Sequence, residues 1–349
     1  MTLQLSYPLL RLRQAFTISR GSRTEQRTTV AALSDGEGRV GYGEVADNFY
    51  YTQARPETVA WVLGDLRDVL AKADPDDPTG LFATCAPLVG GNYFALSALD
   101  MAAHDLAARR AREPLYVSWG YDWEDARIPV SNYTLSIGDP AAVLAQARAN
   151  PWPSYKVKLG GGDDLGTVAL LRAELPDVRL CVDANAAWGE QEAIDKSIAL
   201  ARHGVAFVEQ PCPRGAFAKT RRVRARVHAE HRAKRPLFVA DEDCQTEADV
   251  AKCAKAYDVV NIKLSKCGGP TPALRMVTEA RRRGLGVMFG CMIESSYAIG
   301  VLRHFAAAAD FIDLDGHLLI ADDLATGIVF GADGRPARPE EAGSGVEPV

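Results

Sequence analysis

The sequence predicts an α/β fold in which a closed (β/α)₈-type barrel of the TIM kind follows a smaller α+β region. The chain has 349 residues, enough for one large barrel with an additional domain. From about residue 127, eight short apolar runs alternate with amphipathic segments, a pattern typical of parallel strands joined by helical crossovers. No G-x-G-x-x-G motif follows an early run, so the sequence does not favour a dinucleotide-binding sheet.

The first part of the chain, up to about residue 125, has a mixed pattern. Two alternating runs flank the turn signal Asp35-Gly36-Glu37-Gly38 and predict a hairpin. Two later segments have apolar residues at helical spacing. The predicted elements are strands at 27–33 and 40–45 and helices at 56–71 and 93–112.

The second part of the chain carries the predicted barrel. Its strands are expected at 130–136, 155–159, 179–183, 206–209, 237–241, 259–264, 286–291 and 311–315. Seven helical patterns lie between them. After Gly316 the alternation stops, and we expect the last ten or so residues of the Pro/Gly/Glu-rich tail to be poorly ordered.

Composition excludes several classes of function. The net charge of −5 gives no field that attracts nucleic acid or an anionic membrane, and we interpret the basic run 219–235 as a solvated helix face. No apolar stretch approaches the length of a membrane span. The seven cysteines form no C-x-x-C pair, which favours reduced thiols and a cytoplasmic enzyme. A homo-oligomer is compatible with the sequence.

Polar residues cluster where the predicted strands end. In a parallel barrel these ends meet at one rim, where active sites are built. The strand-end residues are Lys156, Lys158, Asp183, Asn185, Glu209, Asp241, Glu242, Lys263, Cys291, Met292, Asp313 and Asp315.

Three carboxylates arrive at this rim from three consecutive strands. Asp183, Glu209 and Asp241 form an all-oxygen set that suits a hard divalent cation such as Mg²⁺. The alternative is that each one caps the following helix, where acidic residues are also favoured. Three carboxylates in register between lysine-bearing strands favour the metal site.

Two lysines lie on either side of the carboxylates in strand order. Lys158 and Lys263 suit stepwise removal and return of a proton at one carbon, a reaction that needs a dication and bases with a pKa nearer neutrality. Lys156 would disfavour the protonated form of Lys158 by like-charge repulsion. Taken alone, Lys156-Val157-Lys158 would be a solvated strand edge and Lys263 a residue reaching solvent from the barrel end.

The order Lys-x-Lys, Asp-x-Asn, Glu-Gln-Pro, Ala-Asp-Glu and Asn-Ile-Lys-Leu resembles that of the enolase superfamily, in its muconate-lactonising subgroup. The resemblance covers nearly the whole chain. It implies an α+β capping domain over residues 1–125, with 317–349 folding back onto it, and a modified (β/α)₇β barrel over 126–316. It also implies a Mg²⁺ cofactor held by the three carboxylates, with Asn185 and Glu242 next to the ligands.

Asp313-Leu314-Asp315 resembles the Asp-x-Asp signature of dipeptide epimerases. The resemblance implies that these carboxylates bind the N-terminal ammonium group of a dipeptide. Residues 18–23 and Gly290-Cys291-Met292 resemble the L-Ala-D/L-Glu epimerases, which implies that Arg23 meets the glutamate side-chain carboxylate; the alternative is an ordinary loop arginine. His317 and the aromatic loop 48–51 depart from the family pattern.

The expected function is therefore epimerisation at the Cα of the C-terminal residue of a dipeptide, with L-Ala-D/L-Glu as the best single substrate. One alternative keeps the scaffold and changes the substrate: an o-succinylbenzoate synthase, an N-acylamino acid racemase or a cycloisomerase, whose substrates lack a free ammonium group. A more distant alternative is a barrel that binds without catalysis, although keeping unneeded buried charges is costly.

Overall fold

The computed structural model describes residues 1–48, 50–124, 126–231 and 235–349, without the side chain of Thr52. Phe49 of the aromatic loop, the predicted domain boundary at residue 125 and three residues of the basic run lie outside the described residues. Within the described ranges, no helix combines the length and apolar character needed to cross a bilayer.

The N-terminal region contains a four-stranded antiparallel sheet. Its strands are β1 (Thr2–Ser6), β2 (Leu9–Ile18), β3 (Gly21–Ser34) and β4 (Val40–Ala46). The predicted hairpin is confirmed, because β3 pairs with β4 across the turn. Strands β1 and β2 were not predicted, and β3 begins in a segment that the sequence suggested was a loop. The turn between β2 and β3 lies next to the barrel, where Ile137 donates a backbone hydrogen bond to Thr17 at 3.0 Å.

Helices cover one face of this sheet. They are α1 (Pro56–Gly64), α2 (Arg67–Leu70), α3 (Pro78–Cys85), α4 (Tyr93–Ala111) and α5 (Leu115–Ser118), with a 3₁₀ turn at Thr52–Ala54. The predicted helix 56–71 is wrong as one element, since it is divided into α1 and α2. Helix α4 packs closely on β4: a Cβ atom at Gly43 would lie 2.1 Å from the carbonyl oxygen of Ala98, so only glycine permits this approach.

The second region is an eight-stranded parallel barrel. Its strands are β5 (Tyr133–Leu135), β6 (Ser154–Lys158), β7 (Arg179–Asp183), β8 (Phe207–Glu209), β9 (Leu237–Ala240), β10 (Val259–Ile262), β11 (Gly286–Gly290) and β12 (Phe311–Asp313). Each strand pairs with its neighbours in chain order, and a parallel bridge between Ser131 and Ile312 joins the two ends. All eight predicted strands are confirmed, with ends shifted by up to three residues.

Seven helical connections link the strands, and a 3₁₀ turn at Gly316–Leu319 follows β12. The helices are α6 (Pro140–Ala149), α7 (Asp164–Glu174), α8 (Glu190–Arg202), α9 (Phe217–Glu230), α10 (Glu247–Cys253), α11 (Leu264–Cys267), α12 (Pro270–Arg282) and α13 (Ser296–Arg303), followed by a 3₁₀ segment at His304–Ala308. The modified (β/α)₇β barrel with an N-terminal domain is confirmed. The core residues lie between the strands and these helices.

The prediction of a poorly ordered C-terminal tail is wrong. Strand β13 (Ala325–Thr326) pairs with β14 (Glu347–Pro348), and Val346 between these strands is buried. The Arg303 guanidinium donates to the Ser344 carbonyl at 3.0 Å, and the Asp105 carboxylate of α4 accepts from the Ser344 amide at 2.6 Å. Buried charged donors and acceptors satisfy the tail's backbone and hold it against α4.

Candidate active site

A cavity of about 120 Å³ lies where the carboxyl ends of the barrel strands meet the turn between β2 and β3. Most of the predicted site residues line it: Arg23, Lys156, Lys158, Asn185, Asp241, Glu242, Lys263, Cys291, Met292, Asp313 and Asp315. Asp183 and Glu209 lie beneath this lining, and both are fully buried. The sequence-predicted residues therefore form one site.

The three predicted metal ligands come from adjacent strands. Asp183 ends β7, Glu209 ends β8 in register with it, and Asp241 follows β9 directly. One carboxylate oxygen from each lies within 4.8 Å of the others. Because two oxygens on one Mg²⁺ lie at most about 4.2 Å apart, a small inward shift would let all three share a cation.

Two further oxygens fit a hydrated cation. Among the described residues, Asn185 Oδ1 and Glu242 Oε2 are buried without a hydrogen-bond partner. Buried polar atoms normally have a partner, so these orphaned oxygens suit the waters of a bound ion. Asn185 adopts a positive φ of 46°, which places its amide beside Asp183.

Each of the three carboxylates accepts, through one of its oxygens, from a different lysine that lines the cavity. These lysines are among the predicted residues, and each donates from its ammonium group. The contacts are Lys158 Nζ to Asp183 Oδ2 at 2.6 Å, Lys156 Nζ to Glu209 Oε2 at 3.1 Å and Lys263 Nζ to Asp241 Oδ2 at 3.0 Å.

A different donor holds the second oxygen of each carboxylate. The donors are the Asn185 backbone N–H to Asp183 Oδ1 at 2.8 Å, Asn261 Nδ2 to Glu209 Oε1 at 2.6 Å and Lys266 Nζ to Asp241 Oδ1 at 2.6 Å. Sequence reasoning missed Asn261 and Lys266. A usable signal existed for Asn261, because it precedes Lys263 by two residues and shares its strand face.

Buried charges shift the pKa values at the rim in both directions. Burial raises the pKa of Glu209 to about 7, although Lys156 opposes this effect. Burial would also raise the pKa of Asp241, but Lys263 and Lys266 outweigh it and hold that pKa well below the usual range. For Lys263, burial favours a lower pKa, yet the carboxylates of Asp241 and Glu209 raise it. The protein's own carboxylates therefore hold the pKa of Lys263 above its ordinary value, and the shift toward neutrality beside a dication stays a prediction.

Lys158 and Lys263 lie on opposite sides of the barrel. Lys158 ends β6 and Lys263 follows β10, so three strands separate them, and each of those strands delivers one carboxylate. Four steps around an eight-stranded barrel is half of its circumference. The two ammonium groups therefore approach the cavity from opposite sides of the carboxylate group.

The two aspartates at the end of β12, Asp313 and Asp315, are tied to the start of the barrel. Asp313 accepts from Lys156 and from Asn132 Nδ2, the latter at 2.6 Å. Asp315 accepts from the Thr134 backbone N–H at 2.6 Å, and its pKa is raised by burial and by Asp313. Lys156 thus bridges Asp313 and Glu209, linking the Asp-x-Asp pair to the carboxylate triad.

The β2–β3 hairpin brings two arginines to the cavity, Arg20 in its turn and Arg23 on β3. Arg20 forms an ion pair with the buried Glu242 and lies 4.5 Å above the ring of Tyr50. Sequence reasoning assigned no role to Arg20. Arg23 donates to Gln26 Oε1 and to the Asp47 carbonyl at 3.4 Å, and burial lowers its pKa.

The two departures from the family pattern have different positions. His317 stacks on Phe330 with ring centroids 5.7 Å apart, burial lowers its pKa to about 4, and it does not line the cavity. In the aromatic loop, Asn48 Nδ2 lies 3.7 Å from Met292 Sδ, and the Tyr51 hydroxyl accepts from a barrel glutamine at 3.2 Å. Asn48 and Tyr51 of the loop are therefore part of the site, whereas His317 packs on Phe330 outside the cavity.

A capped (β/α)₇β barrel with three carboxylates between opposed lysines defines a class of metal-dependent barrel proteins. Comparison with family models agrees: residues 2–118 match the N-terminal domain of the mandelate racemase / muconate lactonizing enzyme family, and residues 140–349 match the enolase C-terminal domain-like family. The chain belongs to the enolase superfamily, in its mandelate racemase/muconate lactonizing enzyme group.

Several proteins of this superfamily are similar to this chain over nearly its full length. An L-Ala-D/L-amino acid epimerase of a Maribacter species is 36% identical over 99% of both chains. A Flavobacterium johnsoniae protein of the same name is 38% identical over 97% of this chain and 96% of its own. A Cytophaga hutchinsonii dipeptide epimerase, solved with Mg and the dipeptide D-Ala-L-Val, has a TM-score of 0.91 and 27% identity over 99% of this chain and 95% of its own.

Proposed function

We propose that this protein is a Mg²⁺-dependent dipeptide epimerase that moves a proton at the Cα of the C-terminal residue. The observation that carries the proposal is the placement of Lys158 and Lys263 on opposite sides of three buried carboxylates, next to an Asp-x-Asp pair. Relatives named as dipeptide epimerases, matched over nearly the whole chain, support it. The best single substrate is L-Ala-D/L-Glu.

Asp183, Glu209 and Asp241 would hold the cation. A bound dication supplies positive charge that stabilises the additional negative charge on the substrate carboxylate when the Cα proton leaves. The carboxylates of Asp241, Glu209 and Asp183, which would hold the ion, are the groups that raise the pKa of Lys263. Asn185 and Glu242 would support the ligands from their positions beside Asp183 and Asp241.

Lys158 and Lys263 would exchange roles according to the epimer that is bound. The lysine on one side removes the Cα proton, and the lysine on the other side returns a proton to the opposite face. Inversion of the stereocentre follows from this opposed geometry. Lys156, held between Glu209 and Asp313, would keep a positive charge next to the substrate carboxylate.

The ends of the substrate would be recognised by different elements. Asp313 and Asp315 line the cavity and would accept from the N-terminal ammonium group, in the region of Cys291 and Met292. Arg23 would meet an acidic side chain on the C-terminal residue. The name of the similar L-Ala-D/L-amino acid epimerases extends the proposal to other second residues.

We further assign residues 1–125 to a capping domain, with 317–349 returning to it, and 126–316 to the catalytic barrel. Contacts of the tail with Asp105 and Arg109 of α4 support this assignment. The seven cysteines are free thiols, which supports a cytoplasmic location. The proposed partner is a small dipeptide substrate, rather than nucleic acid or a membrane.

The test is exchange of the Cα proton in D₂O. With Mg²⁺ and L-Ala-L-Glu or L-Ala-D-Glu, proton NMR should show loss of the Cα signal of the second residue and appearance of the other epimer. Lys158→Ala and Lys263→Ala should each reduce epimerisation by about 10³-fold, within the usual range for an acid/base group.

The two lysine variants also control for each other. Each should retain exchange with the one epimer whose proton faces the remaining lysine, and the two variants should retain opposite epimers. Absence of exchange with every dipeptide tried, or full epimerase activity in Lys158→Ala, would show that the proposed function is wrong.

A further inference from the structure

The oxygens of the carboxylate triad divide into two sets. Lysines lining the cavity contact the inner set, which consists of Asp183 Oδ2, Glu209 Oε2 and Asp241 Oδ2. Other donors hold the outer set, and two of them, Asn261 and Lys266, do not line the cavity. These outer donors are the Asn185 backbone N–H, Asn261 Nδ2 and Lys266 Nζ. Each carboxylate thus has one oxygen in contact with a lysine that lines the cavity and a second oxygen held by a different donor.

We propose that the outer donors, Asn261 and Lys266 above all, restrict each carboxylate to one ligand oxygen and so make this site select Mg²⁺ over Ca²⁺. The proposal rests on the proposed function in one respect, because it takes the triad to be the metal site. It adds a selectivity role for two residues outside the predicted site.

The coordination chemistry of the two ions gives the physical reason. Mg²⁺ takes six ligands at short distances in near-octahedral geometry, and it usually binds carboxylates through single oxygens. Ca²⁺ takes six to eight oxygens at longer distances and often binds both oxygens of a carboxylate. A carboxylate whose second oxygen is held by a strong donor cannot turn to offer both oxygens. Three carboxylates that each offer one oxygen therefore suit the coordination of Mg²⁺ and not that of Ca²⁺.

Lys266 holds the outer oxygen of Asp241 in a fixed position. Its side chain is 1% exposed, and its three ammonium protons have acceptors in Asp241 Oδ1 at 2.6 Å, the Asp241 carbonyl at 2.6 Å and the Cys244 carbonyl at 2.9 Å. Releasing Asp241 would leave a buried charge without its carboxylate, which is costly. Lys263, by contrast, lines the cavity and contacts the inner oxygen of Asp241.

Asn261 holds the outer oxygen of Glu209, and the backbone of β11 packs against the other end of its amide. The residue is fully buried on β10, and its Nδ2 lies 2.6 Å from Glu209 Oε1. A Cβ atom at Gly290 of the neighbouring strand would lie 2.7 Å from Asn261 Oδ1. The amide therefore fits against the bare backbone of Gly290 and has little room to rotate away from Glu209.

The experiment compares Mg²⁺ and Ca²⁺ binding to the full-length protein by calorimetry. The ratio of the two dissociation constants is the readout, because both ions carry the same charge and removing a cationic side chain affects them alike. In Lys266→Met the preference for Mg²⁺ should narrow by about tenfold, the lower end of the effect of such partners on metal affinity. Lys252→Met is the matched control: it removes an exposed lysine on α10 and should leave the ratio unchanged.

Asn261→Ala provides an independent variant that acts through Glu209, should Lys266→Met fail to fold. This variant should also reduce the preference for Mg²⁺ over Ca²⁺. If Asn261 had a merely structural role, its loss would weaken the binding of both ions equally. Suppose that the wild type binds Mg²⁺ and exchanges the Cα proton. If a folded variant then keeps the wild-type ratio of the Mg²⁺ and Ca²⁺ dissociation constants, this inference is wrong and the proposed function stands. A wild-type protein that binds no Mg²⁺ overturns the inference together with the metal site.

Discussion

The barrel rim and the β2–β3 turn line the same cavity but are held in different ways. At the rim, Lys156, Glu209 and Asp241 are buried, and each of them has at least two charged or amide partners. In the turn, the Arg20 side chain is 30% exposed and reaches the rim through its ion pair with Glu242. The groups proposed to move the proton are thus fixed at the ends of barrel strands, and Arg23, proposed to meet the substrate side chain, lies on β3 beside the turn.

This difference teaches how the two tasks are separated. Proton transfer requires groups placed within a fraction of an ångström, which packed strand ends provide. Recognition of variable side chains suits a hairpin turn and the residues beside it, which tolerate substitution without disturbing the core. We therefore expect changes at the rim to affect stability and the chemical step, and changes in the turn to affect which dipeptide is bound.

Removal of a rim charge should have the largest effect. Asp241→Asn leaves Lys263 and Lys266 without their carboxylate, and losing one partner of a buried pair typically costs about 3–5 kcal/mol. Urea unfolding should report a loss of this size. The control is Asp322→Asn, which breaks an exposed pair with Arg11 of β2 and should cost at most about 1 kcal/mol. Equal losses in both variants would abolish the distinction between the rim and the surface.

Arg23→Met should mainly change substrate preference. Loss of a charge-assisted hydrogen bond to an acidic side chain costs about 1.5–3 kcal/mol, so KM for L-Ala-L-Glu should rise by about 10- to 100-fold. The same variant should bind L-Ala with an uncharged second residue nearly as well as the wild type does. Steady-state kinetics on the two substrates measure the difference, and an equal rise for both would argue against a specificity role for Arg23.

Arg20→Met should have a smaller effect on KM than Arg23→Met, and it affects the contact between the two regions. It removes the ion partner of the buried Glu242 and releases the turn from the rim. We expect KM to rise by about tenfold for all dipeptides, with little change in calorimetric Mg²⁺ affinity. A large loss of metal affinity would instead mean that Arg20 belongs functionally to the rim.

The last prediction concerns pH dependence at the junction where α4 of the N-terminal region meets α12 of the barrel. Asp100 on α4 accepts from Thr271 of α12, and burial raises its pKa to about 8. Because the folded pKa exceeds the ordinary value of 3.8, this group's contribution to stability is full below about pH 4 and is lost as pH rises through 8. Asp100→Asn should remove this slope, so its Tm should gain relative to the wild type as pH increases from 4 to 8.

Much of the fold was predictable because strand and helix periods are local properties. The eight barrel strands follow from apolar runs and the helices between them, and the polar strand ends indicated the rim residues. The tail was misjudged because its composition is polar, while its order comes from contacts with Arg303 and Asp105, which are distant in sequence. Strands β1 and β2 were missed because their burial depends on pairing with β3.

The sequence by itself determined the order of the strands and the charged residues at the ends of most of them, and barrel geometry then brings those ends to one rim. Only the tertiary structure decided which donor holds which carboxylate oxygen: Lys263 on one oxygen of Asp241, Lys266 on the other, and Arg20 on Glu242. The physical reason is range. Periodicity places a side chain on a face, but a hydrogen bond forms only within about 3 Å, and that distance depends on how the whole chain packs.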